Sequence, residues 1–171
     1  MGGVIRIFTG NGKGKTTSAL GLVVLAMGEG SKVFIGQFLK SGNYSEFTAL
    51  DKFKDQLTVE HYGAGRFVKG KPSEEDHLAG KIGYGKIHEA IVKGEYDLVV
   101  IDEGNMAVEY GIISEHQLLS LFELKPGHVD LIVTGRGAAQ SVMDKADEVI
   151  ELKEIKHYYS KGVKARVGIE R

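Results

Sequence analysis

The stretch Thr9-Gly10-Asn11-Gly12-Lys13-Gly14-Lys15-Thr16-Thr17 limits this chain more than any other. It follows Val4-Ile5-Arg6-Ile7-Phe8, an apolar and β-branched run that reads as a buried strand. It precedes residues 18–27, rich in Ala, Leu and Val, which read as a helix ending near Gly28. Glycines let successive backbone N–H groups turn inward and surround an anion. A helix N-terminus adds partial positive charge to the same cavity. Strand, glycine-rich turn, Lys-Thr and helix is the context of a phosphate-binding P-loop, with Lys15 giving a mobile full charge and Thr16 a hydroxyl for Mg²⁺. The usual G-x-x-x-x-G-K-[ST] spacing would put a glycine at residue 9. The residue there is Thr9, so Gly10 is expected to serve the turn, with Gly12 adding freedom.

A second chemical signal lies at Tyr96-Asp97-Leu98-Val99-Val100-Ile101-Asp102-Glu103. Four apolar residues ending in two acids form a Walker B pattern. A buried parallel strand would deliver those carboxylates to the edge of the sheet beside the glycine turn, where they can hold Mg²⁺ or its waters. Asp130-Leu131-Ile132-Val133-Thr134 reads as another buried strand, followed by Gly135-Arg136-Gly137. Arg136 can either reach phosphates or pair with a structural carboxylate.

The remaining chain alternates. Residues 32–38 read as a strand, with Lys40 in the loop just beyond it, either at the edge where open α/β sheets bind ligands or as a solvated loop lysine. A short helix is expected over 45–54 with Phe47, Leu50 and Phe53 on one side, then a strand over 57–62. Residues 63–72 form a glycine- and lysine-rich loop around Phe67 and Val68, an apolar pair that tucks into the core or meets a ligand. Ser73 with Glu74, Glu75 and Asp76 opens a helix to about residue 92, with Leu78, Ile82, Ile87 and Ile91 as its apolar positions. Gly80, Gly83 and Gly85 predict a kink or close packing there. Ser114 and Gln117 form a capping box for a helix to Leu124. A short helix over 138–146 and a strand over 148–152 follow. The tail from residue 156 is basic and aromatic.

The pattern predicts an α/β fold of the P-loop NTPase type, a mainly parallel sheet with helices on both faces, as one domain over residues 1–171. A net charge of −1 favours neither nucleic acid nor an anionic membrane. The absence of cysteine excludes disulfides, a thiolate nucleophile and Cys-ligated metal, and fits a reducing cytoplasm. No apolar run approaches the ~20 residues of a membrane span, and a strand from residue 4 leaves no signal-peptide pattern.

These residues predict a Mg²⁺–nucleoside triphosphate site without naming a reaction. Taken together, the segments resemble the P-loop corrinoid adenosyltransferases. The resemblance runs through residues 8–17, Gln37-Phe38-Leu39-Lys40, residues 97–103, Thr134-Gly135-Arg136, Ala146-Asp147, Lys156-His157, Gly162-Val163-Lys164-Ala165 and Gly168-Ile169-Glu170. Thr at residue 9 fits this family's form of the loop.

The resemblance implies that cobalt(I) of a corrinoid attacks the 5′ carbon of ATP and triphosphate leaves, in adenosylcobalamin synthesis or salvage. It also implies a triphosphate laid along the loop in the reverse sense to kinases. Cobalt(I) has no proton to lose, so no general base is needed. The protein must orient two substrates and neutralise the leaving group. The implied site has Lys15 and Glu103 in the catalytic role. ATP is bound by Gly10, Asn11, Gly12, Lys13, Gly14, Lys15, Thr16, Thr17 and Arg136. Mg²⁺ rests on Thr16 and Glu103, with Asp102 behind or in place of Glu103. Phe67 meets the corrinoid: the family's Gly-Phe-x-Trp stretch here reads Arg66-Phe67-Val68-Lys69, with Lys69 at the Trp position. Many members carry an N-terminal segment that helps cover the corrinoid, whereas here a strand is expected from residue 4. A homodimer and a flavoprotein reductant are further implications. The rival readings are a P-loop kinase, which needs a base near an acceptor hydroxyl, and a nucleotide-dependent switch or binding protein. Thymidine kinases of this type usually carry a Cys-rich zinc ribbon, which a cysteine-free chain cannot form.

Overall fold

The apolar runs at 5–9, 33–38, 98–102 and 130–134 become strands buried on both faces, and this explains why they are continuous rather than alternating. The computed structural model describes residues 2–40, 49–64, 70–156, 158 and 162. Within them lie β1 (Ile5–Thr9), α1 (Lys15–Gly28), β2 (Val33–Phe38), β3 (Leu57–Tyr62), α2 (Glu74–Lys93) and β4 (Leu98–Asp102). Then come α3 (Gly104–Glu109), α4 (Glu115–Leu124), β5 (Asp130–Thr134), α5 (Gln140–Lys145) and β6 (Glu148–Glu151). The six strands form one sheet in the order β3-β2-β4-β5-β1-β6, with every pairing parallel. The α/β architecture with a parallel sheet is therefore as expected.

Alternate residues of each central strand enter different cores. Phe8, Ile35, Val100 and Ile132 pack beneath α1 through Ala19, Val23 and Met27. Ile7, Phe34, Ile101 and Val133 pack on the opposite face, against Ile87 and Ile91 of α2 and Leu118 and Leu121 of α4. At about 25 cal/mol per Å² of apolar area, these two layers hold the sheet rigid beneath its loops. Because all strands run one way, the ends of β1, β2, β4 and β5 meet at one edge.

The structure departs from the sequence expectation in several places. Helix α1 starts at Lys15, not at residue 18, because Gly14 takes a left-handed conformation (φ 104) and ends the loop there. The apolar positions expected for α2 include Leu78 and Ile82, but these are 61% and 53% exposed. The core face of α2 runs instead through Gly80, Gly83, Ile87, Ala90 and Ile91. The glycines permit that choice. A Cβ on Gly80 would lie 2.0 Å from Ile112 Cγ2, and one on Gly83 2.5 Å from the Tyr62 ring. Close packing, rather than a kink, is what they provide, while Gly85 faces open space. The capping boxes at Ser73–Asp76 and Ser114–Gln117 are both formed. The helix expected over 45–54 lies partly outside the described residues. Residues 49–50 are helical and a single 3₁₀ turn covers Asp51–Phe53, where Leu50 is buried and Phe53 is not. Helix α3 was not expected from the sequence. Phe67 and its neighbours 65–69 lie outside the described residues. None of the helices among the described residues is long and apolar enough to cross a membrane.

Candidate functional site: a glycine loop beside a carboxylate hub

Gly10 and Gly14 both adopt positive φ (93 and 104), which an L side chain rarely tolerates. Gly12 is required for a different reason. Its N–H donates to Leu152 O at 2.7 Å, and a Cβ there would sit 2.8 Å from that same oxygen. Leu152 N–H in turn donates to Thr9 O at 2.9 Å. The loop is thus pinned to the chain just after β6. The Gly12 amide is committed to that contact, while the amides of Asn11 and Gly14 take no protein acceptor among the described residues. Thr9, the residue in place of the usual glycine, is buried, and its Oγ1 accepts from Ala138 N–H at 3.3 Å.

Lys15, the first residue of α1, folds back over the loop. Its Nζ donates to Gly10 O at 2.8 Å and Gly12 O at 2.7 Å. Burial holds its pKa below the ordinary lysine value. The nearby Arg136 and Lys40 act in the same sense, and Glu103 and Asp102 oppose them. A cluster of cations around a glycine turn, with Lys15 and Lys40 partly buried and Arg136 exposed, is built to receive an anion. Arg136 lines a cleft of about 510 Å³ with Asn11, Glu151, Lys153 and Glu154. It forms no ion pair with a carboxylate among the described residues. Lys13 is exposed, donates to Tyr158 Oη at 3.0 Å and stands 5.3 Å over its ring. Thr17 lies exposed in the first turn of α1.

Asp102, at the end of β4, is 1% exposed and acts as the hub of the site. Its Oδ1 accepts from Thr16 Oγ1 at 2.7 Å and from Thr134 Oγ1 at 2.6 Å. Its Oδ2 accepts from Gln37 Nε2 at 2.6 Å and lies 3.6 Å from Lys40 Nζ. Both oxygens are therefore used, as a buried carboxylate requires. Glu103 is the more open of the two acids. It sits at φ 56, its N–H donates to Thr134 Oγ1 at 3.0 Å, and its Oε1 is 3.2 Å from Lys40 Nζ. The donor set suits a divalent cation that shares its shell with substrate phosphates: a hydroxyl at Thr16, a carboxylate at Glu103, and a second carboxylate aligning the hydroxyl. No cluster of three or more acidic or histidine groups able to cage a metal alone exists among the described residues.

The hub contains residues that sequence reasoning had not assigned. Gln37 is fully buried in β2 and links Asp102 to His61, whose Nδ1 is 2.9 Å from Gln37 Oε1. Since Asp102 can only accept, Gln37 must turn its amide nitrogen that way and its oxygen toward His61, so His61 carries its proton on Nδ1. Burial lowers the His61 pKa, with Asp102 opposing and Lys40 assisting. A glutamine inside the run Val33–Phe38 was the available signal, because an amide in a buried strand needs partners. Asn105 of α3 donates to Gly135 O at 3.1 Å and so ties α3 to the turn that carries Arg136. Its Oδ1 is buried with no partner among the described residues.

Comparison with known proteins covers the full length of the chain. A model of the ATP:corrinoid adenosyltransferase BtuR/CobO/CobP family matches residues 1–171. The chain is 34% identical to the corrinoid adenosyltransferase CobA of Salmonella typhimurium, covering 98% of this chain and 85% of that protein. It is 31% identical to a corrinoid adenosyltransferase of Pseudomonas aeruginosa (98% and 83%) and 32% identical to one of Escherichia coli K12 (98% and 85%). With the glycine loop, the buried acid of β4 and the arginine after β5 meeting at one sheet edge, the chain belongs to the ATP:corrinoid adenosyltransferase family.

Proposed function

We propose that this chain, as one domain over residues 1–171, transfers the 5′-deoxyadenosyl group of ATP to cobalt(I) of a corrinoid and releases triphosphate. The observation that carries the reading is the pairing of an anion cradle with a hydroxyl–carboxylate couple. Lys15 and the Gly10–Gly14 turn lie on one side, and Thr16 hydrogen-bonded to Asp102 lies on the other. In the reaction the cobalt electron pair forms the Co–C bond as the C5′–O bond breaks, and both bonding electrons leave with the triphosphate. The leaving group gains negative charge, and Lys15, Arg136 and the free amides of the turn stabilise it. Bound together with ATP, Mg²⁺ supplies further charge neutralisation there. Thr16 and Glu103 hold it, and Asp102 keeps the Thr16 hydroxyl oriented. Asn11, Lys13 and Thr17 extend the nucleotide contact around the turn. Phe67 packs against the corrin face, a role that follows from the resemblance at residues 66–69. A homodimer, a flavoprotein reductant and a cytoplasmic setting belong to the same reading.

The test is the phosphorus product formed from ATP and reduced corrinoid. Triphosphate, with one Co–C bond per triphosphate, is expected. ADP would identify a kinase, and slow ADP plus phosphate a switch. Phe67→Ala should slow adenosylation of a cobalt(II) corrinoid supplied with reductant and leave the Kd for ATP within about twofold of native.

A further inference from the structure

Among the described residues, only two non-glycine residues have left-handed backbones: Leu39 at φ 63 and Glu103 at φ 56. Such conformations persist only where the surroundings enforce them, and they gather at working sites. These two lie at the ends of different strands, yet they serve a single contact. Leu39 immediately precedes Lys40, and its N–H donates to Tyr62 O at 3.1 Å. The Lys40 backbone lies so close to Gly63 that a Cβ there would come within 2.7 Å of three of its atoms. Glu103 is held through its N–H by Thr134. The two strained turns bring Lys40 Nζ to 3.2 Å from Glu103 Oε1 and 3.6 Å from Asp102 Oδ2. The Lys40 and Glu103 side chains are each about one-fifth exposed, so the pair is largely withdrawn from water and weakly screened.

We propose that Lys40 is the resident counter-cation of the metal site. It balances Asp102 and Glu103 while no metal is bound, and it yields Glu103 when a divalent ion arrives with ATP. This rests on the reading above that Mg²⁺ is held by Thr16 and Glu103. Two cations cannot share the acids without added negative charge. Metal alone must therefore displace an ammonium already in place, whereas metal with triphosphate brings charge enough for both. Lys40 thereby makes metal binding depend on nucleotide, and the strain at Leu39 and Glu103 maintains that dependence.

The experiment titrates Mn²⁺, as a probe for Mg²⁺, into the whole protein with and without ATP and reads free Mn²⁺ by electron paramagnetic resonance. Native protein, Lys40→Met, Lys40→Gln and Lys40→Arg are compared. Lys40→Gln retains a donor for Glu103 and serves if Lys40→Met does not fold. Without nucleotide, the Met and Gln variants should bind Mn²⁺ about tenfold tighter than native, with Arg close to native. With ATP the difference should shrink. Nucleotide-free Mn²⁺ binding by Lys40→Gln no tighter than native overturns the exchange, since a merely structural lysine would lower stability without raising metal affinity. If no form, native included, binds Mn²⁺ even with ATP, the placement of the metal itself is wrong and the exchange falls with it.

Discussion

The two halves of the functional edge are made by different means. Beside β1 and β6, the site is main chain: Gly10, Gly12 and Gly14 shape a turn that Leu152 pins in place, and one lysine lies across it. Beside β4, β2 and β3, the site is side chain: Asp102 collects Thr16, Thr134 and Gln37, and Gln37 passes the contact on to His61. The first half tolerates almost no change because backbone cannot repack around an added atom. The second half distributes its contacts over several donors, so losing one leaves others in place. The difference predicts that single substitutions on the glycine side act as switches, and those on the carboxylate side act as graded losses.

Lys15→Ala should break the comparison most sharply. It removes the ammonium that crosses the turn and should lower kcat/KM for ATP by about 10³-fold, with an unchanged far-ultraviolet spectrum. A folded variant with near-native turnover would show that the turn binds no phosphate during catalysis. Gly12→Ala adds a single carbon 2.8 Å from Leu152 O, so the loop and the segment after β6 must separate. A fall of about 10²-fold in ATP use is expected, visible in the same steady-state assay. Native kinetics would mean that the pinning is dispensable.

Asp102→Asn tests the other half. One oxygen becomes an amide nitrogen that must face a hydroxyl or the amide of Gln37, so part of the hub is mispaired. Stability should fall by about 1–3 kcal/mol in urea unfolding, and ATP use should fall less than in Lys15→Ala. Unchanged stability would show that the hub adds no net cohesion. The smallest effect concerns His61. Burial favours its neutral form in the fold, so its folded pKa lies below the ordinary value near 6.5. Stability from this group is complete above pH ~6.5 and is lost as pH falls through the lower folded value. His61→Gln should flatten that part of the stability–pH curve. A slope identical to native would place the acid sensitivity elsewhere.

The same contrast explains how much could be read beforehand. Strands β1, β2, β4 and β5 were legible because burial on both faces forces continuous apolar runs, and the turn was legible because its glycines are local. The start of α1 at Lys15 left no mark in the apolar pattern, because the cap is Gly14, which offers no side-chain signal. The face of α2 was misread because Gly80 and Gly83 carry no hydrophobicity, yet they set the packing. Asp102 could be found from its strand. Its partners Gln37 and Thr134 come from strands that become neighbours only after the chain crosses over. Hydrogen-bond partnerships across a parallel sheet leave little trace in local spacing.

Strand β6 is an edge strand with all four residues exposed, and its continuation at Leu152 supplies both hydrogen bonds that tie down the glycine turn. Local opening free energies in a protein run from near zero at frayed edges to the global value in the core. The glycine turn therefore inherits the opening free energy of the sheet's weakest margin rather than that of its centre. Mild denaturant should silence this protein while β2, β4 and β5 are still protected from hydrogen exchange, and occupation of the cradle should slow exchange at the Leu152 amide.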